Sequence, residues 1–599
     1  MKINNIYKSI ALCSLIGLTG CYDFEELNTN PYAPVYDPST EGATADGIDI
    51  DYTISENALK SLKATESGVG ATFSNFVYEG LYNDYQTTTN LTHDIYAGYW
   101  GNNVSGFVSN SPTYSYNDGW SASRWRHFYD DRTVSEYSQL IKTFWFCNKD
   151  YYHTAFYITR IYYAFLMSVQ TDTYGDIPIK YYVKGAIPPE ENVEYTPQKE
   201  VYKMIFDILD QAIKGLHNIP ETVQYDLADN DKCYGGDVNK WLRFANTLRL
   251  RLALRVSNVD PALAKTQGEA ALADAAGLME SQADNMKQVP KRQYITGGNE
   301  NIYGLLFSWT ANVVLPKEME WAYKNQALKP GVSEDNFEIK DNADNSRFNN
   351  KSENCYLDPR CEILWFRPTE FKLLNQPVPE ESDKDFAGVR NGETNIGGSY
   401  TNVYSPARCN VTSDVMNPKI WWNLAQEIIW MGYSESLFLK AEAALRGWEG
   451  TEKSPKEYYL DGIRASMNYY KIDSDAEGQK KIEDYINNLQ GIEAFNSGDR
   501  ESQLEQIITQ KWIAVFPNGN EGWAEVRRTD YPRYMLLPLG GNNSGGQVEN
   551  DKLIKRISYP NSESRNPNKP SEVTQGTKVW WDTNDTMENG KWHKPNNFK

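Results

Sequence analysis

Rings and planar polar side chains are concentrated in one polar stretch of the chain, residues 82–104. Flat rings stack against the apolar C–H faces of sugars, while amides and carboxylates hydrogen-bond to sugar hydroxyls. The stretch therefore predicts an exposed platform for a neutral carbohydrate. The alternative is a surface loop whose rings pack on the body of the protein. The candidate binding residues here are Asp84, Tyr85, Tyr96, Tyr99, Trp100 and Asn102.

Three further segments combine rings with polar sequence and are weaker candidates for the same chemistry. Trp120 lies in the polar run 114–125, and Trp309 and Trp321 lie in a second stretch rich in Asn, Gly and Asp. Arg390 and Tyr404 offer a hydrogen-bond donor and a ring. Single exposed aromatic residues are otherwise ordinary, so each of these could equally be a packing residue.

No catalytic motif accompanies these rings. The sequence contains no HExxH, GxSxG, P-loop or GxGxxG pattern, and its five histidines are scattered without ligand spacing. A pair of carboxylates could hydrolyse a glycosidic bond, but with 80 acidic residues any such pair can be found by chance. We therefore predict a binding protein and not an enzyme, with no metal and no cofactor.

The N-terminus carries a signal for export. Lys2 and Lys8 precede a short apolar run, and Leu18-Thr-Gly-Cys21 closes it. This order is typical of a signal peptide and is too short for a membrane-spanning helix. The small residues before Cys21 match a bacterial lipobox, in which the thiol of that cysteine is acylated and residues 1–20 are removed. Acyl chains then anchor the protein to a membrane.

The overall charge restricts the partners. The chain has 60 Lys and Arg against 80 Asp and Glu, and loss of Lys2 and Lys8 with the signal peptide brings the net charge from −20 to −22. This balance argues against a nucleic-acid binder and favours a neutral ligand. After removal of residues 1–20 and lipidation of Cys21, five cysteines remain. Cys355 and Cys361 could form a disulfide, or they could be unpaired buried thiols.

Helical periodicity dominates long parts of the chain. Apolar residues recur at helical spacing over 201–216, 238–256 and 428–445. Thr196-Pro197 provides a cap and a first-turn proline for the first of these helices. Further helices are predicted near 151–171, 262–281, 455–470 and 501–515. The pattern predicts a mainly α protein of tetratricopeptide-like helix pairs, although no clean 34-residue repeat is present.

Between about 286 and 420, and again after 540, the periodicity fails and Asn, Gly, Asp and Pro increase. Long irregular stretches on a helical frame usually carry binding function. We therefore expect a signal peptide over 1–20, a lipid-anchored tether over 21–38, and one domain over 39–599 with a large loop-rich half.

Several segments together resemble the SusD/RagB family of nutrient-binding outer-membrane lipoproteins. The resemblance runs from the lipobox almost to the C-terminus. The segments are Asp172 to Pro178, Lys240-Trp241 with Phe244 to Arg255, Ser434-Glu435 with Leu439 to Ala443 and Gly447-Trp448, Gln510 to Ile513 with Gly522 to Glu525 and Arg527 to Thr529, and Arg556 to Pro560 with Trp580 to Asp582.

This resemblance implies a SusD-like fold and a role. Members capture glycan at the cell surface, above a SusC-type TonB-dependent transporter that imports it. The acidic residues Asp23, Glu25 and Glu26, which follow Cys21, resemble the signal that sends such lipoproteins to the cell exterior. The family's ligand contacts lie in variable loops, so no binding residue is carried over from it.

Two other functions stay open. One is a RagB-like peptide-binding lipoprotein, which would rely on backbone hydrogen bonds and need fewer flat ring platforms. The other is a surface glycosidase, which would release sugar from a polysaccharide.

Overall fold

The fold is described from a computed structural model. It covers residues 66–81, 85–102, 111–186, 188, 193–288, 313–332, 350–370, 385–393, 404–408, 422, 426–585, 587–588 and 591–599. The expected lipidation site Cys21, the tether, and the candidate ligand residues Asp84 and Trp309 lie outside these residues.

The described chain is mainly helical. Its α-helices of nine residues or more are α1 (Glu66–Glu79), α2 (Thr133–Asn148), α3 (His153–Tyr174), α4 (Gln198–His217), α5 (Val238–Arg255), α6 (Pro261–Ala273), α7 (Lys317–Asn325), α8 (Tyr433–Leu445), α9 (Pro455–Tyr469), α10 (Ala476–Asn487), α11 (Arg500–Val515) and α12 (Gly519–Thr529). Shorter α-helices span Asp118–Ser121, Ser123–Arg126, Pro359–Leu364 and Ala494–Ser497, and π-helical segments span Gln86–Asp94 and His127–Asp131.

Among the described residues, six strands of two to four residues form three antiparallel pairs. They are β1 (Gly101–Asn102), β2 (Met286–Gln288), β3 (Val313–Val314), β4 (Ile428–Met431), β5 (Met587–Glu588) and β6 (Lys591–Trp592). The pairs are β1 with β3, β2 with β4, and β5 with β6. Strand β4 leads directly into α8 and so ties a sheet to the helical frame.

Most predicted helices are confirmed to within a few residues, but the helix predicted near 262–281 ends at Ala273, and two other details are wrong. Residues 428–445 do not form one helix, because 428–431 pair with β2 as a strand and the helix begins only at Tyr433. Four apolar residues in a row suit a buried strand as well as a helix. The start of α4 is not capped by Thr196, whose backbone pairs with Ile177. Asp176 instead accepts a hydrogen bond from the Gln198 amide at 2.8 Å.

The helices pack as neighbours along the chain: α3 on α4, α5 on α6, and α8 on α9, with α11 against α8. Helix α3 is buried along nearly its whole length. One continuous core of apolar side chains runs through the helices and into the loop-rich side. Within the described part of the chain, no helix has the length and apolar character needed to cross a membrane.

Buried ion pairs join four of the helices. Arg251 of α5 contacts Glu435 of α8 at 2.6 Å, and Lys511 of α11 contacts Glu521 of α12 at 2.7 Å. Arg528 lies 2.7 Å from the carboxylates of both Glu442 and Glu525. Except for Glu521, these side chains come from segments that carry the family resemblance, so those motifs meet in the core.

Candidate functional site

A solvent-open cleft lies where β4, the end of α9 and the turn between α11 and α12 come together. It encloses about 660 Å³, its open mouth included. Five rings line it: Trp422, Trp430, Tyr469, Tyr470 and Phe516. Tyr469 is half-buried and the other four are buried. The Trp422 and Phe516 rings meet edge to face at 5.9 Å between centroids.

Amide side chains surround these rings. Gln282, Asn285, Gln426 and Asn518 line the cleft. Asn518 donates to the carbonyl of Trp430 at 2.9 Å and so holds β4 against the α11–α12 turn. Gln282 accepts from Asn285 at 2.8 Å. The amides are thus held in place before any ligand arrives, an arrangement that lowers the entropic cost of binding.

Two carboxylates line the cleft, and both are paired. Glu427 at the rim lies 2.6 Å from Lys287 of β2, and both side chains are partly exposed. Glu435 at the floor accepts two hydrogen bonds from Arg251, at 2.7 and 2.6 Å. Among the described lining residues there is no Lys or Arg. The cleft therefore offers rings, amides and aliphatic groups to a ligand, and little free charge.

The described part of the predicted platform, 85–102, is buried and does not form the exposed surface that we expected. The Tyr85 ring packs 5.8 Å from Trp430, and Tyr96 packs 5.2 Å from Trp523. Tyr99 packs 5.1 Å from Trp512 and 5.2 Å from Phe516. Trp100 and Asn102 are buried as well. Tyr85 and Tyr99 thus lie behind two walls of the cleft and support it from the core side.

The polar groups of this stretch explain why it is buried. Residues 86–94 form a π-helical segment that packs against α12. Asp94 accepts from the Gly519 amide at 2.9 Å, at the N-terminus of α12, where a negative charge is favoured. His93 lies 2.8 Å from the Thr173 hydroxyl. Burial is the main cause that lowers the pKa of His93 well below its ordinary value.

The remaining candidates are spread over the molecule. Trp120 is half-buried in the short helix Asp118–Ser121, and Trp321 is buried in α7. Arg390 is buried and donates to the carbonyl of Leu537 at 3.0 and 2.8 Å, which is a structural role. Tyr404 is partly buried, and burial raises its pKa to about 12. None of these four lines the cleft.

The residues that form the cleft gave weak signals in the sequence. Trp422 lies in polar sequence, but neither it nor any other cleft residue is among the predicted ligand residues. Tyr469 and Tyr470 end a predicted helix, and Gln426-Glu427 precede an apolar run. Their common position at the ends of elements was the available signal, because element ends are where loops expose side chains.

A second, more enclosed cavity lies beside α7. Its lining includes Tyr96, Tyr114, Asn391 and the buried acid Glu318. Burial raises the pKa of Glu318 to about 7, although Arg390 and Lys317 act in the opposite direction. This carboxyl group is therefore partly neutral near physiological pH.

The described residues contain no group of three or more His, Cys, Asp or Glu side chains able to hold a metal ion. Cys355 and Cys361 are both buried, free thiols. Of the two alternatives for this pair, the structure has the unpaired one. Burial raises the pKa of Cys355 to about 12, so its thiol stays protonated.

Solved structures similar to this chain share its fold. A chitin-binding SusD homologue from Flavobacterium johnsoniae is 26% identical with a TM-score of 0.62, over 87% of this chain and 99% of that one. A SusD homologue from Parabacteroides distasonis is 24% identical with a TM-score of 0.67, over 86% of this chain and 98% of that one. A third structure, described as a chitin-binding protein, is 25% identical with a TM-score of 0.61, over 86% and 99% of the two chains.

No curated protein is similar enough to match the chain. The family model described as "SusD-like: Susd and RagB outer membrane lipoprotein" matches residues 40–305 and 352–592. These ranges cover well over half of the sequence and include every segment that carried the resemblance. The chain therefore belongs to the SusD/RagB family of outer-membrane lipoproteins.

Proposed function

We propose that this protein captures oligo- or polysaccharide at the cell surface and that the cleft between β4, α9 and the α11–α12 turn holds the sugar. The observation that carries this proposal is the partly buried Tyr469 ring set among preorganised amides. A ring of this kind stacks on the C–H face of a sugar, while amides bond its hydroxyls. Two structural neighbours of the chain are described as chitin-binding, which supports a glycan as the ligand.

In this proposal the chain is exported by its signal peptide and anchored through Cys21. The tether 21–38 then holds a single SusD-like domain outside the cell, and a SusC-type TonB-dependent transporter imports the captured glycan. Replacement of Cys21 by Ala should release the protein from the membrane fraction. Loss of surface labelling in that variant, and co-purification of the native protein with a transporter of this type, would test the placement and the partner.

The cleft itself is tested by Tyr469→Ala in affinity gels that contain a panel of polysaccharides, with chitin oligosaccharides as soluble competitors. We expect about tenfold weaker retention, because one ring stack is worth about 1 kcal/mol or more. Tyr181→Ala is the matched control, since Tyr181 is 38% exposed and lies outside the cleft. Unchanged retention of Tyr469→Ala, with both variants folded by circular dichroism, would remove the cleft from the proposal.

The same panel separates the other two functions. A glycosidase would release reducing sugar from at least one polysaccharide, whereas a binding protein only slows its own migration in the gel. A peptide-binding member would bind no polysaccharide of the panel and would bind peptides from a peptide library. The limited free charge of the cleft and its ring favour the glycan over both.

A further inference from the structure

We infer that the cleft selects sugars that carry a 2-acetamido group, as in β-1,4-linked N-acetylglucosamine chains, over the same chains with a free hydroxyl or a free amine. This inference rests on the proposed function and names the ligand class of that same site. It follows from the division of the cleft into an aliphatic side and an amide side.

The aliphatic side consists of half-buried residues within reach of a ligand. Ile429 projects from β4, Ala514 and Val515 end α11, and Pro517 follows them. Sugar hydroxyls gain nothing from such a surface, because they would lose water without gaining a hydrogen bond. A methyl group does gain from it, because its burial removes apolar area from water. An acetamido group brings one methyl group per sugar.

The amide side offers what the rest of an acetamido group needs. Gln282 and Gln426 are half-buried lining residues, and the side chain of Gln426 hydrogen-bonds to Tyr469. An amide side chain both donates and accepts, so it can meet the carbonyl or the N–H of the acetamido group. Gln426 lies beside the ring on which we place the sugar.

Charge separates the acetamido sugar from its charged relatives. Both lining carboxylates are already paired, Glu427 with Lys287 and Glu435 with Arg251, so an ammonium group would find no free partner among the described lining residues.

Three hexasaccharides with the same β-1,4 linkage test this inference by calorimetry on the lipid-free protein. They carry an acetamido group, a hydroxyl group or an amino group at carbon 2: chitohexaose, cellohexaose and chitosan hexamer. One buried methyl group and one hydrogen bond together make chitohexaose about tenfold tighter than cellohexaose. The fully deacetylated hexamer should bind no better than cellohexaose.

Val515→Thr replaces one methyl group of the aliphatic side by a hydroxyl at nearly constant size. We expect it to cut the preference for chitohexaose over cellohexaose about threefold. Val223→Thr is the matched control, because Val223 is 68% exposed on the loop after α4 and does not line the cleft. Its preference should equal that of the native protein.

The outcomes distinguish the inference from the function on which it rests. Equal binding of chitohexaose and cellohexaose, both weakened by Tyr469→Ala, would overturn the acetamido selectivity and leave glycan capture standing. Tighter binding of the chitosan hexamer would also overturn it. If no glycan of the panel binds, the proposed function fails and the inference fails with it.

Discussion

The helical frame and the cleft use charged and aromatic side chains in different ways. In the frame, Arg251, Arg255, Lys511 and Arg528 are buried together with the carboxylates that neutralise them. In the cleft, the Lys287–Glu427 ion pair at the rim is partly exposed, and the Tyr469 ring, on which we propose that the sugar stacks, is half-buried. Glu435 belongs to both regions, because it is part of the ion-pair network and forms the floor of the cleft.

This difference predicts which substitutions should change stability and which should change binding. A buried charge that loses its partner cannot be solvated by water instead, so removal of the partner lowers stability strongly. A charge at the rim can be solvated by water, so removal of its partner lowers stability only slightly. Substitutions in the frame should therefore change the free energy of unfolding, and substitutions in the cleft should change the affinity for the ligand.

The largest effect is expected from Arg528→Ala in the frame. Burial alone would raise the pKa of Glu442, but Arg528 and Arg446 hold it at about 2. Removal of Arg528 leaves Glu442 and Glu525 without their shared partner. We expect a loss of about 3–5 kcal/mol in the free energy of unfolding, measured by urea denaturation.

The matched control for this prediction is Arg464→Ala. Arg464 pairs with Glu483 on the surface, where both side chains are well exposed. Its loss should cost less than about 1 kcal/mol. Equal losses in the two arginine variants would contradict the contrast between the buried network and the surface.

Tyr96→Ala tests whether the stretch that was predicted as a platform is part of the hydrophobic core. Tyr96 is buried against Tyr114 and Trp523 and does not line the cleft. We expect a loss of about 3 kcal/mol in the free energy of unfolding, because a ring-sized cavity is left. The variant protein that remains folded should bind glycan as the native protein does. Weakened glycan binding without loss of stability would indicate that Tyr96 contacts the ligand.

The buried carboxyl group of Glu318 should make the free energy of unfolding depend on pH. Its pKa rises from an ordinary value near 4.3 to about 7 on folding, so the folded state binds the proton more tightly. The stability that this proton contributes is complete below about pH 4, and it is lost as the pH rises towards 7. Linkage gives roughly 3 kcal/mol over that range.

The Glu318→Gln variant should lack this part of the pH dependence. At pH 8 it should unfold at higher urea concentration than the native protein, because it avoids a buried negative charge. The difference between the two proteins isolates this residue, since Asp582, whose pKa burial raises to about 6, is present in both. Parallel stability curves between pH 5 and 8 would contradict the prediction.

The smallest effect is expected from Lys287→Met at the rim of the cleft. Its ion pair with Glu427 is partly exposed, so the free energy of unfolding should change by less than about 1 kcal/mol. Neutral glycan should bind within about twofold of the native affinity, because the pair contributes charge and not a ring or an amide. A large loss of affinity for a neutral sugar would show that the rim pair contacts the ligand directly.

Much of the frame could be predicted from local pattern. The helices α3, α4, α5, α9 and α11 follow apolar periodicity to within a few residues. Strand β4 was missed because an apolar run of four residues does not distinguish a strand from the first turn of a helix. What decided it was the partner strand β2, more than 100 residues away in the chain.

The site was harder to predict. The stretch 85–102 has the composition of an exposed loop, but its Asp94 and His93 find partners near Gly519 and Thr173, which are distant in sequence. Once their polar groups are paired, such residues can be buried. The cleft residues Tyr469 and Gln426 come from separate segments, and no local spacing connects them.

By itself, the sequence determined the family and the helical frame, and it predicts signals for export and lipidation, because each depends on short motifs or on periodicity. It also indicated that rings would matter. Only the tertiary structure decided which rings line the cleft, because burial depends on long-range contacts. Trp100 and Trp321 lie in polar sequence and are buried, whereas Tyr469 lies on a regular helix and faces the cleft.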